Sequence, residues 1–101
     1  MAAFSNITGE RTQELIAVGE GGTVSSISLT NIHGTNECTV DLYIEKKLTG
    51  RFYLIKDVNL PIGATLIHDK VSFSTAEGGF GLYIKLTKSA SETPAVDVII
   101  N

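Results

Sequence analysis

The chain has 101 residues, of which 43% are hydrophobic and 19% charged, with a formal net charge of -3. That length holds one domain around one core, and the negative balance supplies no basic field to attract nucleic acid or an anionic membrane. A single cysteine excludes an intrachain disulfide, and no run approaches the roughly 20 apolar residues of a membrane span.

From the start of the chain, Met1-Ala2-Ala3-Phe4-Ser5-Asn6 shows no basic segment followed by an apolar run. No signal peptide is expected, and folding in a reducing cytoplasm is. Residues 1–12 have weak periodicity and read either as a first edge strand or as an extended arm. Short strands are expected at residues 14–18 and 24–32. In Cys38-Thr39-Val40-Asp41-Leu42-Tyr43-Ile44-Glu45 the even positions are apolar, which predicts a half-buried strand with Cys38, Val40, Leu42 and Ile44 inward. Residues 51–58 are apolar on both faces at their centre, as a more central strand would be. Further strands are expected at 65–68, 71–74, 80–87, where Phe80, Leu82, Ile84 and Leu86 share a face, and 95–100. Between them lie breakers: Gly19-Glu20-Gly21-Gly22, His33-Gly34-Thr35-Asn36, Leu48-Thr49-Gly50, Pro61-Ile62-Gly63, Glu77-Gly78-Gly79 and Ser91-Glu92-Thr93-Pro94. No window keeps a 3.6-residue period. The pattern predicts an all-β chain, one antiparallel β-sandwich over 1–101 of about eight short strands, jelly-roll or Ig-like.

The residues offer little catalytic chemistry. His33 and His68 are far apart in sequence and stand outside any close-spaced metal-binding pattern, so both read as surface loop residues and no metal or other cofactor is expected. Cys38, in phase with buried neighbours, reads as a small hydrophobe rather than a nucleophile. Neither a nucleophile elbow nor a phosphate loop occurs. Asp41 and Glu45 flank Tyr43 on the outward side of one strand. Such a group could bind sugar or calcium, but a solvated strand face is the expectation. Tyr43, Tyr53 and Tyr83 are the aromatic residues available to a carbohydrate-binding surface, and the chain has no Trp. A cupin-like enzyme would need the histidine cluster that is missing. Asn6-Ile7-Thr8 matches the glycosylation sequon, which carries no weight without a secretory signal.

Several segments, taken in order, resemble small virion structural proteins of tailed bacteriophages. An opening strand at Gln13-Glu14-Leu15-Ile16-Ala17-Val18 is followed by Thr23-Val24-Ser25-Ser26-Ile27-Ser28-Leu29-Thr30-Asn31. Then come Val40-Asp41-Leu42-Tyr43-Ile44 and Tyr53-Leu54-Ile55-Lys56-Asp57-Val58. The most specific piece, Val58-Asn59-Leu60-Pro61-Ile62-Gly63-Ala64-Thr65-Leu66, is similar to the leucine-proline-x-glycine-x-threonine-leucine connection of those proteins. Pro61 would fix φ at the end of one strand and Gly63 would permit the reversal, with positive φ. Glu77-Gly78-Gly79 departs from the glycine-aspartate turn usual at its place. The resemblance implies a non-enzymatic virion component, a capsid cement or decoration protein first, or a tail, adaptor or fibre part. It implies synthesis in the host cytoplasm, residence in the virion, and symmetric homo-oligomers whose partners are other virion proteins, such as the major capsid protein or tail proteins.

For subunit contacts the positions to examine are Phe4, Ile7, Ile62, Phe80, Val98 and Ile99, each at a terminus, a loop or the polar side of a strand, with core packing as the alternative for each. The run Ala95-Val96-Asp97-Val98-Ile99-Ile100 is apolar on both faces near its end. Two readings follow: the chain ends pack on a neighbouring subunit, or they pair with each other inside one sandwich.

Overall fold

Among the described residues, period-two alternation translates into ten strands and no helix. The computed structural model describes residues 3–46, 50–89, 91 and 93–101. The turn expected at Leu48-Thr49 lies outside them. The strands are β1 (Ala3–Thr8), β2 (Thr12–Ile16), β3 (Thr23–Val24), β4 (Ile27–Asn31) and β5 (Cys38–Lys46), then β6 (Gly50–Leu60), β7 (Thr65–His68), β8 (Phe73–Ser74), β9 (Gly81–Lys88) and β10 (Ala95–Ile100).

Eight of them form two four-stranded antiparallel sheets, β1-β10-β4-β7 and β2-β9-β5-β6, while β3 and β8 make a two-stranded ribbon. Strands distant in sequence lie side by side in both sheets. Of the two sandwich windings that the sequence left open, this order is that of the jelly roll. One core lies between the sheets. Ile7, Val96, Val98, Ile27, Leu29 and Ile100 reach it from the first sheet, and Cys38, Val40, Leu42, Leu82, Ile84 and Leu86 from the second. Fully burying side chains of this size contributes about 1.5–3 kcal/mol each, so the alternation seen in the sequence is the main source of stability. Cys38 is buried, in phase with Val40 and Leu42 as its position predicted.

Two open alternatives resolve and two expectations need correction. Residues 3–8 form the edge strand rather than the arm: all six pair with β10, from Ala3↔Ile100 to Thr8↔Ala95. The apolar C-terminal run is explained within the chain, because β10 lies between β1 and β4 and sends Val96, Val98 and Ile100 into the core. The expected strand 24–32 is two strands, since the amides of Ser25 and Ser26 both donate to the Asn101 carbonyl and divert the chain from the ribbon to the first sheet. Finally, β6 is an edge strand rather than a central one. Pairing runs Val40↔Val58, Leu42↔Ile55, Tyr43↔Tyr53, so β6 carries two extra residues against β5. Each extra residue shifts the alternation by one position, and this lets Leu54 and Ile55 both reach the core.

The connection from β6 to β7 is built as its sequence suggested. Gly63 has φ 70°, its amide donates to the Asn31 carbonyl, and the Ala64 amide donates to the Pro61 carbonyl.

Candidate functional site

The two sheets present outer faces of opposite character. On the second sheet, register alone aligns Glu14, Tyr83, Tyr43 and Tyr53 across all four strands. Tyr43 and Tyr83 stack with centroids 5.3 Å apart and planes 13° apart, and Tyr53 tilts against Tyr43 at 5.3 Å. The Arg51 guanidinium lies 4.2 Å from the Tyr43 ring centre, and the Lys56 ammonium 4.8 Å from that of Tyr53. The Tyr83 hydroxyl donates to Glu14 at 2.9 Å. Glu45 pairs with Arg51 at 3.6 Å and Asp41 with Lys56 at 3.5 Å. Asp41 also accepts the Asp57 amide at 2.7 Å, which pins the bulge where Asp57 adopts φ 52°.

Asp41 and Tyr43 are therefore buried, contrary to the solvated face expected of them. The reason is that neighbours on both flanking strands lean over β5. Tyr43 is pushed above the ordinary tyrosine range by that burial. Tyr83 moves the same way, mainly through its hydrogen bond to the Glu14 carboxylate, which favours the protonated phenol. Tyr43 is thus covered by Tyr83 and by Arg51, while Tyr53 at the sheet edge stays exposed beside Arg51 and Lys56.

The first sheet is different. Phe4 pairs with Ile99, Ile99 with Ser28, and Ser28 with Ile67, so one row crosses β1, β10, β4 and β7 on the solvent side. Phe4 is 73% exposed, Ile67 64% and Ile99 41%. The next row, Asn6, Asp97, Thr30 and Thr65, is polar and internally bonded: the Asn6 side-chain amide donates to Asp97, and the Thr30 and Thr65 hydroxyls bond at 2.9 Å. A shallow groove lined by Phe4, Ser5, Asn6, Asp97, Val98 and Ile99 runs along this face.

Of the six contact candidates, Phe4 and Ile99 thus stand together in one exposed row. Ile62 is exposed in the β6–β7 connection, away from them. Phe80 is half-buried at one end of the sandwich, edge-on to Phe52 at 6.1 Å and 5.3 Å from the Lys46 ammonium. Ile7 and Val98 are 1% exposed and belong to the core, so they are withdrawn as contacts: their strands point them inward. The sequence reading missed Ile67. Its signal was present, since it shares parity with Thr65 opposite the inward Leu66.

His33 holds its own loop, its Nδ1 accepting the amides of Thr35 and Asn36 at 3.2 and 3.0 Å. Among the described residues, no group of three or more His, Cys, Asp or Glu side chains could hold a metal ion.

No family model matches the chain, and no curated protein matches it in sequence. Its fold is similar to the crystal structure of Yersinia pseudotuberculosis-derived mitogen, with a TM-score of 0.55 at 13% identity, covering 100% of this chain and 86% of that one. At that identity the likeness concerns the fold alone.

Proposed function

We propose that this chain is a non-catalytic structural subunit of a bacteriophage virion, a capsid cement or decoration protein that docks through the outer face of its first sheet. One observation carries the docking face: the exposed row of aromatic and aliphatic side chains, Phe4, Ile99 and Ile67, on a domain whose opposite face buries Tyr43 and leaves Tyr53 exposed but engaged by Arg51 and Lys56. The virion assignment is supported by the ordered sequence resemblance, whose most specific piece forms the Gly63 turn described above. Fully burying a side chain of this size is worth about 1.5–3 kcal/mol. Because these three are already partly covered in the free chain, docking gains roughly half of that for each, while association consumes at least about 4 kcal/mol of lost freedom. One such face is a weak binder alone, which suits a subunit that works in many copies on a repeating lattice. The test is binding of the purified protein to capsids depleted of it. Phe4→Asp with Ile67→Asp should abolish binding while leaving the β-sheet circular dichroism unchanged; undiminished binding would refute the face.

A second reading, a carbohydrate-binding surface of a tail or fibre component, draws on the Tyr43, Tyr53 and Tyr83 row with its flanking carboxylates. It is the weaker, because Tyr43 is already covered on the faces that a sugar ring would stack on. Glycan-array binding lost in Tyr53→Ala would favour it over cement.

A further inference from the structure

Four strands border the two sheets, and three of them carry devices that discourage pairing with another chain. β6 has two bulges together with Arg51, Lys56 and Asp57; β2 has Glu14 and a register shift before Ile16; β7 has only four residues. β1 has none of these. Its six residues, Ala-Phe-Ser-Asn-Ile-Thr, are free of charge, proline and bulge, and pair with β10 in unbroken register.

The direction of its backbone groups follows from one hydrogen bond. The Gly9 amide donates to the Pro94 carbonyl at 2.8 Å, next to the Thr8↔Ala95 pair. In an antiparallel ladder hydrogen-bonded and non-hydrogen-bonded pairs alternate, so Ala3, Ser5 and Ile7 bond β10. The N–H and C=O groups of Phe4, Asn6 and Thr8 then point to the open edge. The Ile32 amide on the Ala95 carbonyl fixes the same alternation from the far side of β10.

We propose that the chain pairs with a second copy of itself through β1, antiparallel about a two-fold axis perpendicular to the sheet near Ser5 and Asn6, extending the first sheet from four strands to eight. A second copy is the fitting occupant because β1 is its own complement. Antiparallel pairing sets edge-facing residues of one copy opposite edge-facing residues of the other, and it keeps outward side chains beside outward ones. No like charges meet at the seam. The two Asp97 carboxylates end up about three interstrand spacings apart, roughly 14 Å, beyond the Debye length of about 8 Å at physiological salt. The axis also turns both Phe4–Ile99–Ile67 rows to the same side of the extended sheet. The dimer would then dock bivalently, a consequence that rests on the docking role proposed above.

Asn6→Pro tests the pairing. Proline there removes an amide that faces the open edge and spares the bonds to β10. Asn6→Ser is the control, losing the side-chain bond to Asp97 but keeping the amide. Sedimentation equilibrium from micromolar to submillimolar concentration should give twice the monomer mass for the wild type and for Asn6→Ser, and the monomer mass for Asn6→Pro. In the wild type, amide exchange at Phe4, Asn6 and Thr8 should slow as concentration rises. A wild type that stays monomeric, or an Asn6→Pro that stays dimeric, would overturn the proposal. If Asn6→Pro does not fold, the wild-type amides decide, and fast exchange at all three at high concentration overturns it. No particle enters the measurement, so a monomeric result refutes the pairing alone. Ile67→Asp, three strands away from β1, tests docking alone.

Discussion

Asn31 shows how much one side chain can tie together. It is buried at the end of β4; its side-chain amide donates to the carbonyls of Leu60 at 2.9 Å and Asn36 at 3.1 Å, and its carbonyl oxygen accepts the His33 amide at 2.9 Å. Two loops thus close on one residue. Truncation would leave buried groups unsatisfied at about 1–3 kcal/mol each, so Asn31→Ala should lower unfolding stability by about 3 kcal/mol in urea titration; a loss below about 1 kcal/mol would deny it that role. Gly63 acts through the backbone. No side-chain contact crowds it, yet φ 70° strains any β-branched replacement, and Gly63→Val should be less stable by about 1–2 kcal/mol. For Tyr83 and Tyr43 the raised folded-state values mean that the native protein keeps protons that the unfolded chain releases near the ordinary tyrosine value of 10.0. Their contribution is complete below that pH and is lost as pH rises through the folded values, so alkali should destabilise the fold. Glu14→Gln should move the Tyr83 phenol titration downwards in an NMR titration, and an unchanged midpoint would contradict the assigned cause. At this scale the sequence was informative where alternation governs, as for Cys38, and silent where partners lie far along the chain, as Leu60 does from Asn31.

At the scale of elements, bulges separate what the sequence expressed from what folding decided. Residues 51–58 looked central because apolar side chains fill both parities. In the folded chain two extra residues shift the parity partway, and β6 is an edge. Nothing in a linear pattern marks an inserted residue, so neither the edge position nor the Tyr83–Tyr43–Tyr53 alignment, which depends on register, was legible. The Asp41 carboxylate holds the Asp57 bulge from across the pair. Left-handed backbone costs an ordinary residue about 1–2 kcal/mol, less for aspartate, and glycine escapes it. Asp57→Gly should therefore change stability by less than about 1 kcal/mol, while Asp57→Val should lose about 1–2 kcal/mol. Equal effects of the two substitutions in denaturant unfolding would show that the positive φ is not what the site requires.

For the whole molecule, the sandwich was legible and its winding was not, because strand order depends on which distant segments meet. The chain ends illustrate this. Both carried apolar residues in excess of a simple half-buried strand, and pairing between β1 and β10 accounts for Ile7, Val98 and Ile100. Phe4 and Ile99 are left over on the outside, in one row with Ile67 of β7, and form the proposed docking surface. The proposed docking role is tested by banding virions from producing cells on a density gradient and quantifying this chain in each fraction. The wild-type chain should band with intact particles at a fixed number of copies per particle, and the Phe4→Asp, Ile67→Asp double variant should stay among soluble proteins at the top. A wild-type chain found only at the top, or a double variant that still bands with the particles, would contradict it.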